Sequence, residues 1–184
     1  MAMAKSATRA AGLALAAMTM AAALWSAAPA AAQAVDRAGA QQNWSVFESG
    51  SGASRLCWIV SAPKSWVAQR DGRRVSANRG DIYLMVSVRP SDGVRNEVNT
   101  VVGYPFREGS TVRVQIGTDT FAMFTDGENA WFENAAADDR AVEAMKRGVD
   151  AKLTGVSSRG TTTIDTYSLI GFTAALEEAQ RLCS

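Results

Sequence analysis

The chain has 184 residues, 19 basic and 18 acidic side chains, and no histidine at all. So even a charge balance argues against a nucleic-acid footprint or a basic membrane-binding face. The missing histidine excludes a Ser-His-Asp triad, a Cys-His dyad and ordinary zinc catalysis built from this chain's own residues.

In chain order, Lys5 and Arg9 precede an apolar run from Ala10 to Trp25, and Ala32-Gln33-Ala34 ends the stretch in small residues. That sequence of charge, apolar run and small-x-small site is expected to be a secretory signal peptide, residues 1–34, cleaved near Ala34. No cysteine lies at the cleavage point to carry a lipid, and no later apolar run approaches the ~20 residues that span a bilayer. Residues 35–184 are therefore expected to form one domain, periplasmic or secreted. Loss of Lys5 and Arg9 takes its formal charge from +1 to −1.

After a polar lead over Val35–Asn43, strand-like runs recur between turn signals. Ile82, Leu84, Val86 and Val88 alternate with Tyr83, Met85, Ser87 and Arg89, and Val112, Val114 and Ile116 alternate with Thr111, Arg113 and Gln115. A period of two marks strands with one face in a core. Gly117-Thr118-Asp119 supplies a turn that makes residues 111–124 a hairpin. Further strands are expected at Trp44–Phe47, Arg55–Ser61, Glu97–Val102, Ala130–Phe132, Asp150–Ser157 and Thr161–Ser168.

Two segments have helical spacing instead. Asp138–Arg147 has acids in its first turn, Lys146 and Arg147 in its last, and Gly148 as a stop. Phe172, Ala175, Leu176, Ala179 and Leu182 line one side of a C-terminal amphipathic helix, with Glu177, Glu178 and Arg181 on the other. The pattern predicts a mainly β protein: a single antiparallel β-sandwich or flattened barrel of about eight strands with these two helices. An outer-membrane barrel fits less well, because Arg113, Gln115, Thr162 and Thr166 fall where lipid would require apolar side chains.

Cys57 and Cys183 are the only cysteines. In an exported chain such a pair is expected to be bridged, and a loop of that length corresponds to about 4–5 kcal/mol in the chain-entropy account. The pair lacks the Cys-x-x-Cys spacing of a redox site.

Several blocks together carry a family likeness: Arg79-Gly80-Asp81-Ile82, Asn96-Glu97-Val98, Gly103-Tyr104-Pro105-Phe106, Ala144-Met145-Lys146-Arg147-Gly148, Ser158-Arg159-Gly160-Thr161, and Tyr167-Ser168-Leu169-Ile170-Gly171-Phe172-Thr173-Ala174-Ala175. In this order they resemble the invasion-associated locus B family of exported bacterial proteins. The resemblance implies a periplasmic or envelope-associated β-rich domain, in some members linked to host-cell invasion and so to virulence. It brings no catalytic motif. Many members of the family carry a further cysteine pair before the short helix, and Asp126–Ala137 contains none.

Local constellations favour plain structural roles. Ser61-Ala62-Pro63-Lys64 has Ser-x-x-Lys spacing, but Pro63 breaks the required helix and no Lys-Thr-Gly follows. Arg79-Gly80-Asp81 matches an adhesion tripeptide and equally a turn entering a strand. Asp126-Gly127-Glu128-Asn129, with Glu133, lacks calcium-loop spacing. Asp138-Asp139 and Glu177-Glu178 are adjacent on helices and diverge. No catalytic residue, metal site or cofactor is expected.

The residues expected to meet a partner are Trp66, Arg70, Arg73, Arg74 and Arg79, in a basic loop running from Lys64 to Arg79. The function expected is a non-catalytic binding protein whose partner is an anionic envelope or host component. The alternatives are a hydrolase working without histidine and a carrier of a small apolar ligand, which a β-sandwich or barrel can enclose.

Overall fold

A computed structural model describes residues 35–184, so the expected signal peptide, residues 1–34, lies outside the described residues. Twelve strands and two α-helices follow in the order β1 (Val35–Gln41), β2 (Trp44–Ser49), β3 (Leu56–Ser61), β4 (Ser65–Arg70), β5 (Arg73–Arg74), β6 (Tyr83–Arg89), β7 (Val94–Val101), β8 (Thr111–Ile116), β9 (Asp119–Asp126), β10 (Asn129–Trp131), α1 (Ala135–Arg147), β11 (Asp150–Val156), β12 (Thr162–Ser168) and α2 (Phe172–Leu182).

All twelve strands join one antiparallel sheet, in the order β1-β2-β3-β6-β7-β10-β9-β8-β11-β12-β4-β5, with β1 and β5 as its unclosed edges. The mainly β expectation holds. The eight-strand sandwich is corrected to a single twelve-stranded sheet. Nine of these strands match segments read from the sequence, and the three that do not are β1, β4 and β5. β1 is exposed along almost its whole length, and β4 buries only Ala68, so neither shows the apolar alternation from which strands are read. Backbone pairing to β2 and β12 makes them strands nonetheless.

The sheet curls because β3 and β4 are nearly one strand. Three residues, Ala62-Pro63-Lys64, separate them, yet β3 pairs with β2 and β6 while β4 pairs with β12 and β5. Pro63 has no N–H to give a ladder, so the chain can leave one pairing there and enter another. Across this corner the Trp44 indole N–H donates to the Ser168 carbonyl at 3.0 Å, holding the start of β2 to the end of β12.

Inward positions fill the curl. Val112, Val114 and Ile116 are buried while Thr111, Arg113 and Gln115 face out. Leu84, Val86 and Val88 repeat the pattern on β6. The amphipathic helix α2 lies on β2 and β3, with Phe172 edge-on to Trp44 at 5.0 Å and Leu176 fully buried. Each such side chain is worth roughly 1.5–3 kcal/mol of transfer free energy. α2 starts at Gly171, φ +89°, where a Cβ would stand 2.2 Å from the Gln41 carbonyl oxygen; only glycine lets β1 end against this helix.

Helix α1 begins three residues earlier than the charge pattern suggests, because Asn134 caps it by accepting the Ala137 N–H at 3.0 Å. The expected disulfide is present: Cys57 on β3 and Cys183 after α2 are bonded, with Cα atoms 6.0 Å apart. Among the described residues no helix is long and apolar enough to cross a membrane.

Candidate functional site

The inward face of β12 carries Thr163, Asp165 and Tyr167, all buried. A carboxylate on a buried face needs a cation and hydrogen bonds to remain there. Arg79 provides both. Its Nη1 and Nη2 donate to Asp165 Oδ1 and Oδ2 at 2.5 and 2.7 Å, and its Nε donates to the Val102 carbonyl at 2.9 Å. Both side chains are sealed from water, at 2% and 1% exposure.

Two rings pack against the guanidinium, Trp66 with its centroid at 5.1 Å and Tyr104 at 5.2 Å. The Tyr104 hydroxyl is hydrogen-bonded to Thr163 Oγ1, and burial pushes its pKa up. Burial also raises the pKa of Tyr167, the next inward residue along β12 from Asp165. The segment carrying Arg79 reaches this position by backbone packing. Gly80 N–H donates to the Gly103 carbonyl, and a Cβ on Gly103 would stand 2.6 Å from Gly80 N.

Outside the ion pair lies an open cleft of about 340 Å³, lined by Arg70, Asn78, Tyr104 and Glu128 and by the Ser157–Arg159 loop with Thr161. Arg70 Nη2 donates to Thr161 Oγ1 at 2.7 Å, and Ser157 Oγ accepts the Thr161 N–H at 3.1 Å. Three bonds to Arg79 leave two of its five N–H donors without a partner among the described residues. The floor is electrically neutral as a pair. Any net positive charge at the cleft therefore comes from its rim, Arg70 and Arg159 against Glu128.

The five residues expected to meet a partner are thus divided. Arg73 and Arg74 are exposed on β5, and Arg70 is exposed at the end of β4 beside the cleft. Trp66 is 41% exposed with one face given to Arg79. Arg79 itself lies beneath the surface, because Asp165 draws it inward, so the Arg79-Gly80-Asp81 tripeptide does not present its arginine to solvent. The expected loop from Lys64 to Arg79 is in its first half the β4–β5 hairpin, and Lys64 is spent on an ion pair with Asp150 at 2.5 Å.

Other constellations stay apart. Ser61 Oγ donates to the neighbouring Ala62 carbonyl, away from the Lys64 ion pair. Residues 126–129 form the β9–β10 turn. Asp138 is not a cap but a buried acceptor of the Val98 N–H at 2.9 Å, its pKa pushed up to about 6 by burial and by the nearby Glu97 and Asp139 charges. Sequence reasoning missed Asp165. Its signal was available: an acid in phase with Thr163 and Tyr167 on a strand whose other phase holds Thr162, Ile164 and Thr166.

Residues of three of the blocks that carry the family likeness meet at this cleft: Arg79, Gly103-Tyr104-Pro105 and Ser158-Arg159 with Thr161. A sequence model of the invasion associated locus B (IalB) protein matches residues 44–180, from the first residue of β2 into the last turns of α2. No curated protein and no solved structure matches the chain. With the match spanning β2 to α2, the chain belongs to the invasion associated locus B family.

Proposed function

We propose that this protein is an exported, non-catalytic binding protein of the bacterial envelope. Arg70, Arg73 and Arg74 of the β4–β5 hairpin, with Arg159 across the cleft, meet an anionic envelope or host component. The observation that carries this reading is the convergence of three family-like blocks on one polar cleft with an arginine rim. Rim charges of this kind speed encounter and set salt dependence, while Trp66 contributes its exposed face at the same end of the sheet.

The non-catalytic part rests on how the buried charges are used. A general acid or base must be free to exchange a proton with substrate. Arg79 and Asp165 are committed to each other, and the chain has no histidine to take their place. The bridged cysteines suit an oxidising compartment, consistent with export to the periplasm or beyond. The carrier alternative finds less support, since both this cleft and the larger groove at the other end of β7 open to solvent. A role in host-cell invasion would follow where the anion sits on a host surface.

The test is the variant Arg70→Ser/Arg73→Ser/Arg74→Ser. Its thermal unfolding should stay close to the wild type, because Arg73 and Arg74 are exposed and Arg70 gives up one hydrogen bond, to Thr161. Chemical crosslinking to bacterial envelope preparations and to host-cell surfaces should then fall in one of the two. The deficit should be larger at low salt, where charges act over longer distances. Unchanged crosslinking in both would remove the binding role from this face.

A further inference from the structure

The groove at the start of β7, about 640 Å³, has an aromatic floor and an acidic wall. Phe124 of β9 and Trp131 of β10 are cross-strand partners, with rings stacked at 5.7 Å. They lie on the outer side of the sheet, and Phe124 is 49% exposed. A stacked pair left half in water has apolar area still to bury, which is the usual mark of an interface anchor.

Two of the surrounding carboxylates, Asp138 and Glu97, are held by the fold, while Asp139 and Glu133 are exposed at the rim. Asp138 is 8% exposed and has one oxygen on the Val98 N–H. Asp139 accepts from Asn96 Nδ2 at 2.8 Å, and Asn96 in turn accepts from Gln180 Nε2 at 3.0 Å, so strand β7 and both helices fix its position. Glu97 is clamped by Arg89 through two bonds of 2.8 and 2.9 Å, and Glu133 completes the wall. Among the described residues, Arg95 is the one cationic side chain lining the groove.

We propose that this groove binds an arginine-bearing basic segment of a partner protein, with a guanidinium laid on the Phe124–Trp131 pair and ion-paired to Glu133 and Asp139. Guanidinium is planar, weakly hydrated and forked, so it can stack on a ring while offering N–H groups to carboxylates at its edge. An anion would have to sit among fixed negative charges, and a purely apolar segment would desolvate them without compensation. Lysine could satisfy the charge but not the stacking. The site is separate from the Arg79 cleft: it lies at the opposite end of β7 and carries the opposite charge.

The experiment is an NMR titration of the folded protein, residues 35–184, with acetylated tetra-arginine amide, and with tetra-lysine and tetra-glutamate as comparators. The expected result is shift changes confined to residues 92–97, Phe124, Trp131 and 133–139, with tetra-arginine binding several-fold more tightly than tetra-lysine. Phe124→Ser should weaken tetra-arginine roughly five-fold, the size of a lost cation–π contact, in a protein whose core resonances are unshifted. Glu133→Gln/Asp139→Asn should weaken it further and flatten its salt dependence. Shift changes elsewhere, equal binding of tetra-lysine, an unaffected Phe124→Ser variant, or no binding at millimolar peptide would each overturn the proposal.

Discussion

Arg79 and Asp165 stand 86 residues apart in the chain and end as the most deeply buried ion pair described here. Two charges out of water are retained because each offsets the other: two bonds join them, the Val102 carbonyl accepts from Nε, and Trp66 and Tyr104 pack against the guanidinium. Removing one member leaves the other buried and unpaired. Asp165→Leu or Arg79→Met alone should therefore cost about 3–5 kcal/mol in urea unfolding. The double variant Arg79→Met/Asp165→Leu should be clearly more stable than either single one. A double variant that simply adds the two losses would show that the pair is not coupled. Asp165 could have been singled out from the parity of β12. Its partner could not, because nothing in the local sequence around Arg79 shows that its side chain turns inward to meet a carboxylate.

Helix α1 is fastened to the sheet by a bond between unlike elements, the Asp138 carboxylate accepting the Val98 N–H of β7. Burial and the neighbouring Glu97 and Asp139 charges raise that carboxyl from 3.8 to about 6. Between those values the folded chain holds a proton that the unfolded chain has released. Stability from this group is thus greatest at low pH and is lost as pH rises from about 4 through about 6. Asp138→Asn keeps an oxygen for the Val98 N–H and removes the titration. Relative to the wild type it should gain on the order of 1 kcal/mol between pH 4 and pH 7, read from unfolding midpoints across that range. Parallel pH profiles would place the titration elsewhere. The helix itself was legible from its charges and Gly148; its true start was not, since Asn134 acts through one side-chain bond that periodicity does not register.

Across the molecule, the last helix is tied back to an early strand. Cys57 and Cys183 are separated by 126 positions, and beside them Arg55 Nη1 donates to the Leu182 carbonyl at 2.7 Å. Cross-linking so distant a pair restricts the unfolded chain strongly, so Cys57→Ser/Cys183→Ala should lower stability by about 4 kcal/mol. For a domain of this size that is a fall in Tm of roughly 8–16 °C. Reductant should produce a similar fall in the wild type and none in the variant; a wild type indifferent to reductant would show that the crosslink carries no stability. Sequence by itself determined what depends on near neighbours and composition: the mainly β class, both helices, the absent histidine, the cysteine pair and the family likeness. Tertiary structure alone decided the strands at the edges, the β3–β4 corner and the fate of the basic segment. An edge strand is defined by a partner's backbone rather than by its own side chains. Whether an arginine faces water or a buried carboxylate depends on a residue far along the chain.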